Sequence, residues 1–172
     1  AVHENGNSIG HLEIPGGGRH MLLNALGASA VARSMDVEWP AILQSLSSFD
    51  GVTRRFERLG RVAGIEIIDD YAHHPTEVSV TLEAARSIFP GARLIAVFQP
   101  HLYSRTKEFS AEFGAALSEA DVLWVTDIFA AREAPIAGVS GEMLVNAVRA
   151  VGKSEVHYHP NLETISEALA GT

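Results

Sequence analysis

The order of apolar and polar positions changes character near residue 50. Before it, apolar positions recur at the three- and four-residue spacing of a helix, which predicts a helix over residues 20–34. A strand is predicted over 11–14, and a second helix from Trp39 to Ser48 with Pro40 in its first turn. Two helices and one strand do not make a domain, so residues 1–50 are expected to end a domain that begins before Ala1. The apolar positions of the first helix are Leu22, Leu23, Leu26, Ala30 and Val31.

Beyond residue 50, the pattern predicts strands that alternate with helices, which indicates βαβ units. Apolar runs such as LIAVF at 94–98 are typical of parallel strands buried on both faces. The sequence therefore predicts an α/β fold, with a mostly parallel, open, doubly wound sheet, flanking helices and an N-terminal β-hairpin. Strands are predicted over 55–62, 65–70, 94–98, 122–126 and 156–158, and helices over 76–89, 104–120, from Ser140 onward and over 162–169.

Length, composition and charge limit the kind of protein this chain can be. Its 172 residues suit about one domain, and a hydrophobic content of 47% can supply a core. A net charge of −8 argues against binding to nucleic acid or to an anionic membrane. No apolar run reaches the roughly 18 to 20 residues of a membrane span, no secretory signal is recognisable, and Cys is absent. We therefore expect a cytoplasmic protein.

Two glycine-rich segments resemble nucleotide-binding motifs without matching them. Gly152-Lys153-Ser154 ends like a P-loop, but it follows a predicted helix and precedes a strand, the reverse of the order that a P-loop needs. Gly16-Gly17-Gly18 approaches the dinucleotide fingerprint, but Met21 stands at the third glycine position. A nucleotide-binding module of this kind stays a weakly supported alternative.

Polar residues follow three predicted strands, at the sheet edge where ligands bind in open α/β folds. They stand in the segments DDYAHHP (69–75), QPHLYSR (99–105) and TDIF (126–129). Asp70 could instead cap the turn that follows it. The acidic pair and Asp127 are similar to those of receiver domains, but the lysine that such a domain needs after a later strand is missing.

Two features of these segments bear on the ligand. His73 and His74 are neighbours in a loop, so their side chains diverge and we expect no shared metal. Arg105 stands in the first turn of a helix, where a cation opposes the helix dipole, and this points to anion binding by its guanidinium. A salt bridge to Glu108 on the same helix is the simpler alternative.

Five motifs stand in order along nearly the whole chain: GRHMLLNAL (18–26), GVTRRFE (51–57), IIDDYAHHPTE (67–77), FQPHLYSRT (98–106) and PIAGVSGE (135–142). Together they resemble the Mur ligases of peptidoglycan synthesis. Within that family they are most similar to the enzymes that join L-alanine to UDP-N-acetylmuramate. The sister ligases that recycle murein tripeptide are the alternative.

The resemblance implies a protein of three domains: a UDP-binding domain, a central ATPase and a Rossmann-like C-terminal domain. Residues 1–50 would end the central domain, and residues 51–172 would form the C-terminal domain without its last strand. The P-loop and the Mg²⁺ ligands would precede Ala1, so the fragment alone would be inactive. ATP would phosphorylate the muramoyl carboxylate, and the amine of L-alanine would attack the acyl phosphate. The implied partners are ATP, L-alanine, UDP-N-acetylmuramate and the remaining domains.

The resemblance also implies roles for individual residues, with no metal ligand among them. An Asn amide suits adenine because it donates and accepts at once, and a guanidinium suits the alanine carboxylate. The residues implied for ATP are His20, Asn24, Arg55 and Asp70. Those implied for catalysis are Arg55, His73 and His101, and those implied for L-alanine are Tyr71, His74, His101 and Arg105.

Two positions depart from the family pattern. Met21 stands where the family commonly has Asn, which places one adenine contact in doubt. Leu102 stands where Arg is frequent, so Arg105 is the one cation of its motif.

Overall fold

The computed structural model describes residues 1–12, 14, 18–152 and 154–170. Gly16, Gly17 and Lys153, which the two glycine-rich motifs contain, lie outside these ranges. The described chain divides into two compact units, residues 1–71 and 72–172. The boundary expected near residue 50 stays a prediction. No helix in the described ranges is both long and apolar enough to cross a membrane.

The first unit contains two antiparallel hairpins and two helices. The strand predicted over 11–14 is wrong, because the first hairpin ends at Gly10 and residues 11, 12 and 14 lie outside any strand. The turn of this hairpin is Asn5-Gly6, with φ of 50° and 82°, the dipeptide that favours a two-residue hairpin turn. The elements are β1 (Val2–Glu4), β2 (Asn7–Gly10), α1 (Arg19–Ser34), α2 (Trp39–Ser47), β3 (Glu57–Val62) and β4 (Ile65–Asp69).

Glu4 ties the first hairpin to both helices. Its Oε2 accepts a hydrogen bond from Trp39 Nε1 at 2.9 Å, and its Oε1 accepts one from Arg33 Nε at 3.2 Å. These contacts lower the pKa of the Glu4 carboxyl, with Trp39 contributing most. The ionised carboxylate therefore joins three elements at the surface of this unit.

The predicted helix over 20–34 is confirmed as α1, but the large side chains of its apolar stripe are exposed. The residues that α1 buries are Ala25 and Ser29. Leu23 and Val31 on the stripe are 56% and 62% exposed. Periodicity identified the helix, and the small residues beside the stripe form its buried face.

The second unit confirms the mixed α/β fold. Its three strands are all parallel and lie in the order β5-β6-β7. Helices precede, connect and follow them. The elements are α3 (Pro75–Ile88), β5 (Ile95–Phe98), α4 (Tyr103–Glu108), α5 (Ser110–Leu117), β6 (Val122–Val125), α6 (Gly141–Val151), β7 (Glu155–Tyr158), a 3₁₀ turn (Leu162–Thr164) and α7 (Ile165–Leu169).

One hydrophobic core lies on one face of this sheet. It combines residues of α3, α5 and α6 with Phe98, Leu123 and Val125 of the strands. Strands in the order β5-β6-β7 advance in one direction, so crossovers of one hand place both connecting helices on the same face. On the other face Ile95 and Val97 are each 41% exposed. The expectation that the strand at 94–98 is buried on both faces is therefore wrong for β5.

The helix predicted over 104–120 is two helices. Phe109, with φ of −106° and ψ of 24°, ends α4 and precedes α5. Its ring packs edge to face against the ring of His74, with centroids 4.9 Å apart. The apolar periodicity continues through Phe109, so the sequence pattern does not indicate the break.

Gly141 begins α6 at a point of close backbone approach. A Cβ at this position would lie 2.2 Å from the carbonyl oxygen of Thr126 and 3.0 Å from the Tyr158 ring. Thr126 immediately follows β6 and is fully buried. The absence of a side chain at Gly141 therefore allows α6 to start against the end of β6.

We expect Gly141→Ala to lower the free energy of unfolding by about 1–3 kcal/mol, because the backbone oxygen of Thr126 cannot move aside cheaply. Asn146→Ala, at an exposed position of the same helix, should change it by less than about 0.5 kcal/mol. Urea denaturation of the two variants makes the comparison. Equal stability of Gly141→Ala and the wild type would contradict the close approach.

Asp121 closes the edge of the sheet at which the strands begin. Its carboxylate accepts two hydrogen bonds from the Arg86 guanidinium, at 2.9 and 2.7 Å, and one from the Leu94 N–H at 2.7 Å. Arg86, followed by Leu94, lowers the pKa of the Asp121 carboxyl. One side chain thus connects α3 to the starts of β5 and β6.

The stabilisation by Asp121 should depend on pH. Because the pKa is lowered in the folded state, the contribution is complete above the ordinary value near 3.8 and is lost as the pH falls through the folded value. The Arg86 and Asp121 side chains are 39% and 41% exposed, so screening limits the loss in Asp121→Asn to about 1 kcal/mol at pH 7. Thermal melts between pH 2 and 7 should show this gap closing in acid, with Glu167→Gln as the control. A gap that persists at pH 2 would refute the assignment.

Candidate functional site

The loops after β5 and β6 are joined beyond the ends of the strands. Phe129 N–H donates to the Pro100 carbonyl at 2.8 Å, and Leu102 N–H donates to the Phe129 carbonyl at 3.0 Å. His101 and Phe129 form a parallel bridge, with ring centroids 5.5 Å apart. The sheet edge predicted to bind a ligand is therefore a continuous hydrogen-bonded surface and not a set of independent loops.

Leu102 carries the chain from this surface into α4. Its φ of 71° lies in the left-handed region that branched side chains rarely adopt. The Leu102 carbonyl accepts from Thr106 N–H at 3.1 Å and from Thr106 Oγ1 at 2.8 Å, and Thr106 is fully buried. The turn that positions the neighbouring His101 is therefore held from both sides.

His73, His101 and Arg105 meet at this edge. The rings of His73 and His101 have centroids 6.0 Å apart. Arg105 Nη1 lies 3.4 Å from His101 Nδ1 and 3.5 Å from the His73 carbonyl oxygen. Three of the residues implied by the resemblance thus form one cluster, which we call the amino-acid cluster (His73, His101 and Arg105).

Arg105 is not used by the fold as a salt-bridge partner. Among the described residues no carboxylate, Glu108 included, lies within salt-bridge distance of its guanidinium. Its neighbours at hydrogen-bond distance are an imidazole and a carbonyl. The guanidinium can therefore still accept an anion.

The electrostatics of the amino-acid cluster keep His101 uncharged. Burial lowers the pKa of its imidazole, and the nearby Arg105 guanidinium and His73 imidazole lower it further, while the carboxylate of Glu133 opposes them. Because the ordinary value is 6.5, the imidazole is mainly neutral at pH 7. A neutral ring can accept a hydrogen bond from Arg105 at Nδ1, which leaves the ring proton on Nε2.

The two adjacent histidines contact different aromatic rings, His101 in the case of His73 and Phe109 in the case of His74. His74 caps α3: its Nδ1 accepts from Thr76 N–H at 3.3 Å, and Glu77 accepts from the N–H groups of His73 and His74. His73 Nδ1 lies 3.5 Å from the Glu77 carboxylate. One imidazole thus serves the helix, and the other belongs to the amino-acid cluster. No group of three or more metal-ligating side chains occurs in the described ranges.

The residues implied for ATP lie in the first unit. His20 is the second residue of α1, and its Nδ1 is buried with no hydrogen-bond partner among the described residues. Asn24, one turn later, is exposed. Asp70 accepts from Phe56 N–H at 2.8 Å, so it ties the end of β4 to the start of β3, and Arg55 is exposed in the turn before β3. An orphaned ring nitrogen beside an exposed amide fits a ligand with donors and acceptors.

Tyr71, also in the first unit, makes a cation–π contact with Arg54. The Arg54 guanidinium lies 4.6 Å from the centroid of its ring, and Tyr71 N–H donates to the Arg54 carbonyl at 2.8 Å. Arg54 also pairs with Asp69 at 3.3 Å. The role of Tyr71 in L-alanine binding stays a prediction.

Sequence reasoning missed Glu133, which contacts the start of α4. Ser104 N–H donates to Glu133 Oε2 at 2.9 Å, and Ser104 Oγ donates to Oε1. These bonds lower the pKa of the Glu133 carboxyl. The third strand-end segment, TDIF, ends at Phe129, four residues before this carboxylate.

The comparisons with known proteins agree on one family. The sequence pattern described as "Mur ligase, glutamate ligase domain" matches residues 54–172. The UDP-N-acetylmuramate–L-alanine ligase of Salinibacter ruber is 46% identical over 155 residues, 90% of this chain and 33% of that protein. The ligase of the same name from Mycolicibacterium vanbaalenii is 49% identical over 164 residues, 94% of this chain and 33% of that protein. The chain thus spans about a third of the length of these relatives.

Solved structures are similar in the same way. The UDP-N-acetylmuramate-alanine ligase of Thermotoga maritima matches with a TM-score of 0.78 and 28% identity, over 95% of this chain and 34% of that one. A murein peptide ligase from Psychrobacter arcticus matches with a TM-score of 0.66 and 26% identity, over 92% and 32% of the two chains. Since the family pattern covers more than half of the sequence, including Asp69, Asp70 and Asp127, the likeness to a receiver domain carries no weight. The chain belongs to the Mur ligase family.

Proposed function

We propose that this chain is part of an ATP-dependent ligase that joins L-alanine to UDP-N-acetylmuramate in peptidoglycan synthesis. The support is the name shared by the two relatives that are 46% and 49% identical, together with the amino-acid cluster. In this reaction the γ-phosphoryl group of ATP passes to the muramoyl carboxylate, which releases ADP. The amine of L-alanine then attacks the acyl phosphate, and phosphate leaves as the amide forms.

The observation that carries this proposal is the guanidinium of Arg105, which has no carboxylate partner among the described residues beside a neutral His101. L-Alanine offers a methyl group, an amine that must remain able to attack, and a carboxylate. Most of its binding energy must therefore come through the carboxylate, and a bidentate guanidinium contact is the strong way to bind one. His101, with its proton on Nε2, would donate a further hydrogen bond to the same carboxylate.

His73 is the proposed acceptor for the proton of the alanine ammonium. Its Nδ1 faces the Glu77 carboxylate, which favours a proton on Nδ1 and leaves Nε2 as an acceptor. Loss of that proton makes the amine nucleophilic. His74 would act by holding the start of α3, from which His73 projects, and Tyr71 is proposed to contact the substrate as the family resemblance implies.

For ATP, we propose that His20 and Asn24 bind the adenine end. The buried His20 Nδ1 would accept from the exocyclic amine, and the Asn24 amide can donate and accept at once. Asp70 would accept from the ribose hydroxyls, and Arg55 would neutralise charge on the phosphates during transfer. Mg²⁺, which ligases of this type need for phosphoryl transfer, would bind in the part of the relatives' length that this chain does not span.

One prediction of this proposal concerns the acceptor substrate and the length of chain that activity requires. A full-length ligase containing this chain should release ADP with UDP-N-acetylmuramate and L-alanine, and not when a murein tripeptide replaces L-alanine. The 172-residue chain alone should release none. A coupled ADP assay decides, and tripeptide-dependent turnover would favour the recycling ligase, the alternative suggested by the Psychrobacter arcticus structure.

Another prediction of this proposal concerns the contact of Arg105 with the L-alanine carboxylate. In the full-length ligase, Arg105→Ala should raise the KM for L-alanine about 10- to 150-fold, since a hydrogen bond to a charged group contributes roughly 1.5–3 kcal/mol. Arg105→Lys should recover part of this, because an ammonium cannot form two parallel bonds. Steady-state kinetics with L-alanine varied gives the answer, with the exposed Lys107→Ala on the same helix as control. An unchanged KM for L-alanine would overturn the assignment.

A further inference from the structure

The start of α4 has no cap of its own. Leu102 occupies the N-cap position with φ of 71° and ψ of 134°, and its side chain has no group that could accept a hydrogen bond. The first N–H groups of any helix need acceptors from outside the helix. In α4 these N–H groups belong to the first turn, which also carries Arg105.

Glu133 supplies the missing acceptors from another loop. Its carboxylate accepts from Ser104 N–H at 2.9 Å and from Ser104 Oγ. An ionised carboxylate at a helix N-terminus also interacts favourably with the helix dipole. Glu133 therefore caps α4 from a different loop of the same chain, 29 residues after Ser104.

The loop that carries Glu133 is fixed to the same surface. Glu133 N–H donates to the Ala130 carbonyl at 2.9 Å, which closes a turn around Ala131, with φ of 52°. One residue earlier than that turn, Phe129 is bonded to both Pro100 and Leu102. The carboxylate thus reaches Ser104 from a loop that is itself tied to either side of His101.

We propose that Glu133 is a positioning residue for L-alanine binding: it fixes the first turn of α4, and so sets Arg105 relative to His101. This inference rests on the proposed function. Arg105 directly follows Ser104, and its guanidinium reaches His101 Nδ1 at 3.4 Å. A released first turn would leave the left-handed Leu102 without its support and would let Arg105 move away from the imidazole.

The charge of Glu133 has a consequence for the ligand. A carboxylate close to an arginine could pair with it and so take the place of a substrate carboxylate. Here the Glu133 carboxylate accepts from the N–H and the hydroxyl of Ser104, and no salt bridge joins it to Arg105 among the described residues. Glu133 therefore orders the turn without taking the place of the substrate.

The test uses the full-length ligase with L-alanine varied and the other substrates saturating. Glu133→Ala should raise the KM for L-alanine about 10- to 30-fold, because a misplaced binding group loses much of its contact energy. The KM values for ATP and UDP-N-acetylmuramate should change less than about twofold. Glu133→Gln should recover most of the loss, since its amide oxygen still accepts from Ser104 N–H while its amino group can donate to Oγ. Glu83→Ala, exposed on α3, is the matched control.

Two further variants separate positioning from a general loss of structure. Ser104→Ala keeps the N–H contact and removes the hydroxyl contact, so it should raise the KM for L-alanine about two- to fivefold even if Glu133→Ala does not fold. The double variant Glu133→Ala/Arg105→Ala should have a KM within about twofold of Arg105→Ala, because Glu133 acts through Arg105. The proposal would be overturned if the two single-variant effects on the KM for L-alanine multiplied in the double variant. It would also be overturned if Glu133→Ala changed the KM values for L-alanine, ATP and UDP-N-acetylmuramate equally.

The outcomes also distinguish this inference from the proposed function. If Arg105→Ala leaves the KM for L-alanine unchanged, the proposed carboxylate contact is wrong, and the positioning role falls with it. If Arg105→Ala raises that KM while Glu133→Ala and Ser104→Ala do not, the proposed function stands and the role of Glu133 is refuted.

Discussion

The hydrogen bond from Leu102 N–H to the carbonyl oxygen of Phe129, 3.0 Å long, joins the two loops on which the amino-acid cluster depends. It holds a leucine in a left-handed conformation that costs roughly 1–3 kcal/mol, and the buried Thr106 supports the same residue from the helix side. Without this pairing the chain would have no reason to turn at this point. The positions of His101 before the turn and of Arg105 after it are thus consequences of backbone pairing.

Much of the site could be predicted because its polar residues stand at the ends of apolar strands. The strand pattern at 94–98 and the general behaviour of parallel sheets account for His101 and Arg105 at one edge of the sheet. His73 follows β4, which pairs antiparallel with β3 and not with the parallel sheet, so the same rule does not explain its place beside His101. Glu133 could not be found in this way. Its partner Ser104 is distant in sequence and belongs to another loop, so no local pattern links the two. The only available cue was a helix whose N-cap position, Leu102, could not cap it.

The errors in the fold have equally specific causes. Asn5-Gly6 indicates a hairpin turn, but the flanking strands β1 and β2 are short and mostly polar. The apolar pattern therefore favours a strand in the later stretch at 11–14. Burial of β5 on both faces was inferred from its unbroken apolar run. A run of apolar residues gives no information on how many faces are covered, and Val97 is 41% exposed while Phe98 is buried. Phe109, at the break in the predicted helix, packs against His74, a tertiary contact that no local pattern shows.

The Asp121 carboxylate lies where the strands begin, and the amino-acid cluster lies beyond the ends at which they finish. The sheet therefore separates the group that connects α3, β5 and β6 from the groups that would meet a substrate. Sequence change at one edge need not be compensated at the other. Substitutions in the strand-end loops can therefore change the groups presented there while the contacts of Asp121 with Arg86 and Leu94 stay as they are.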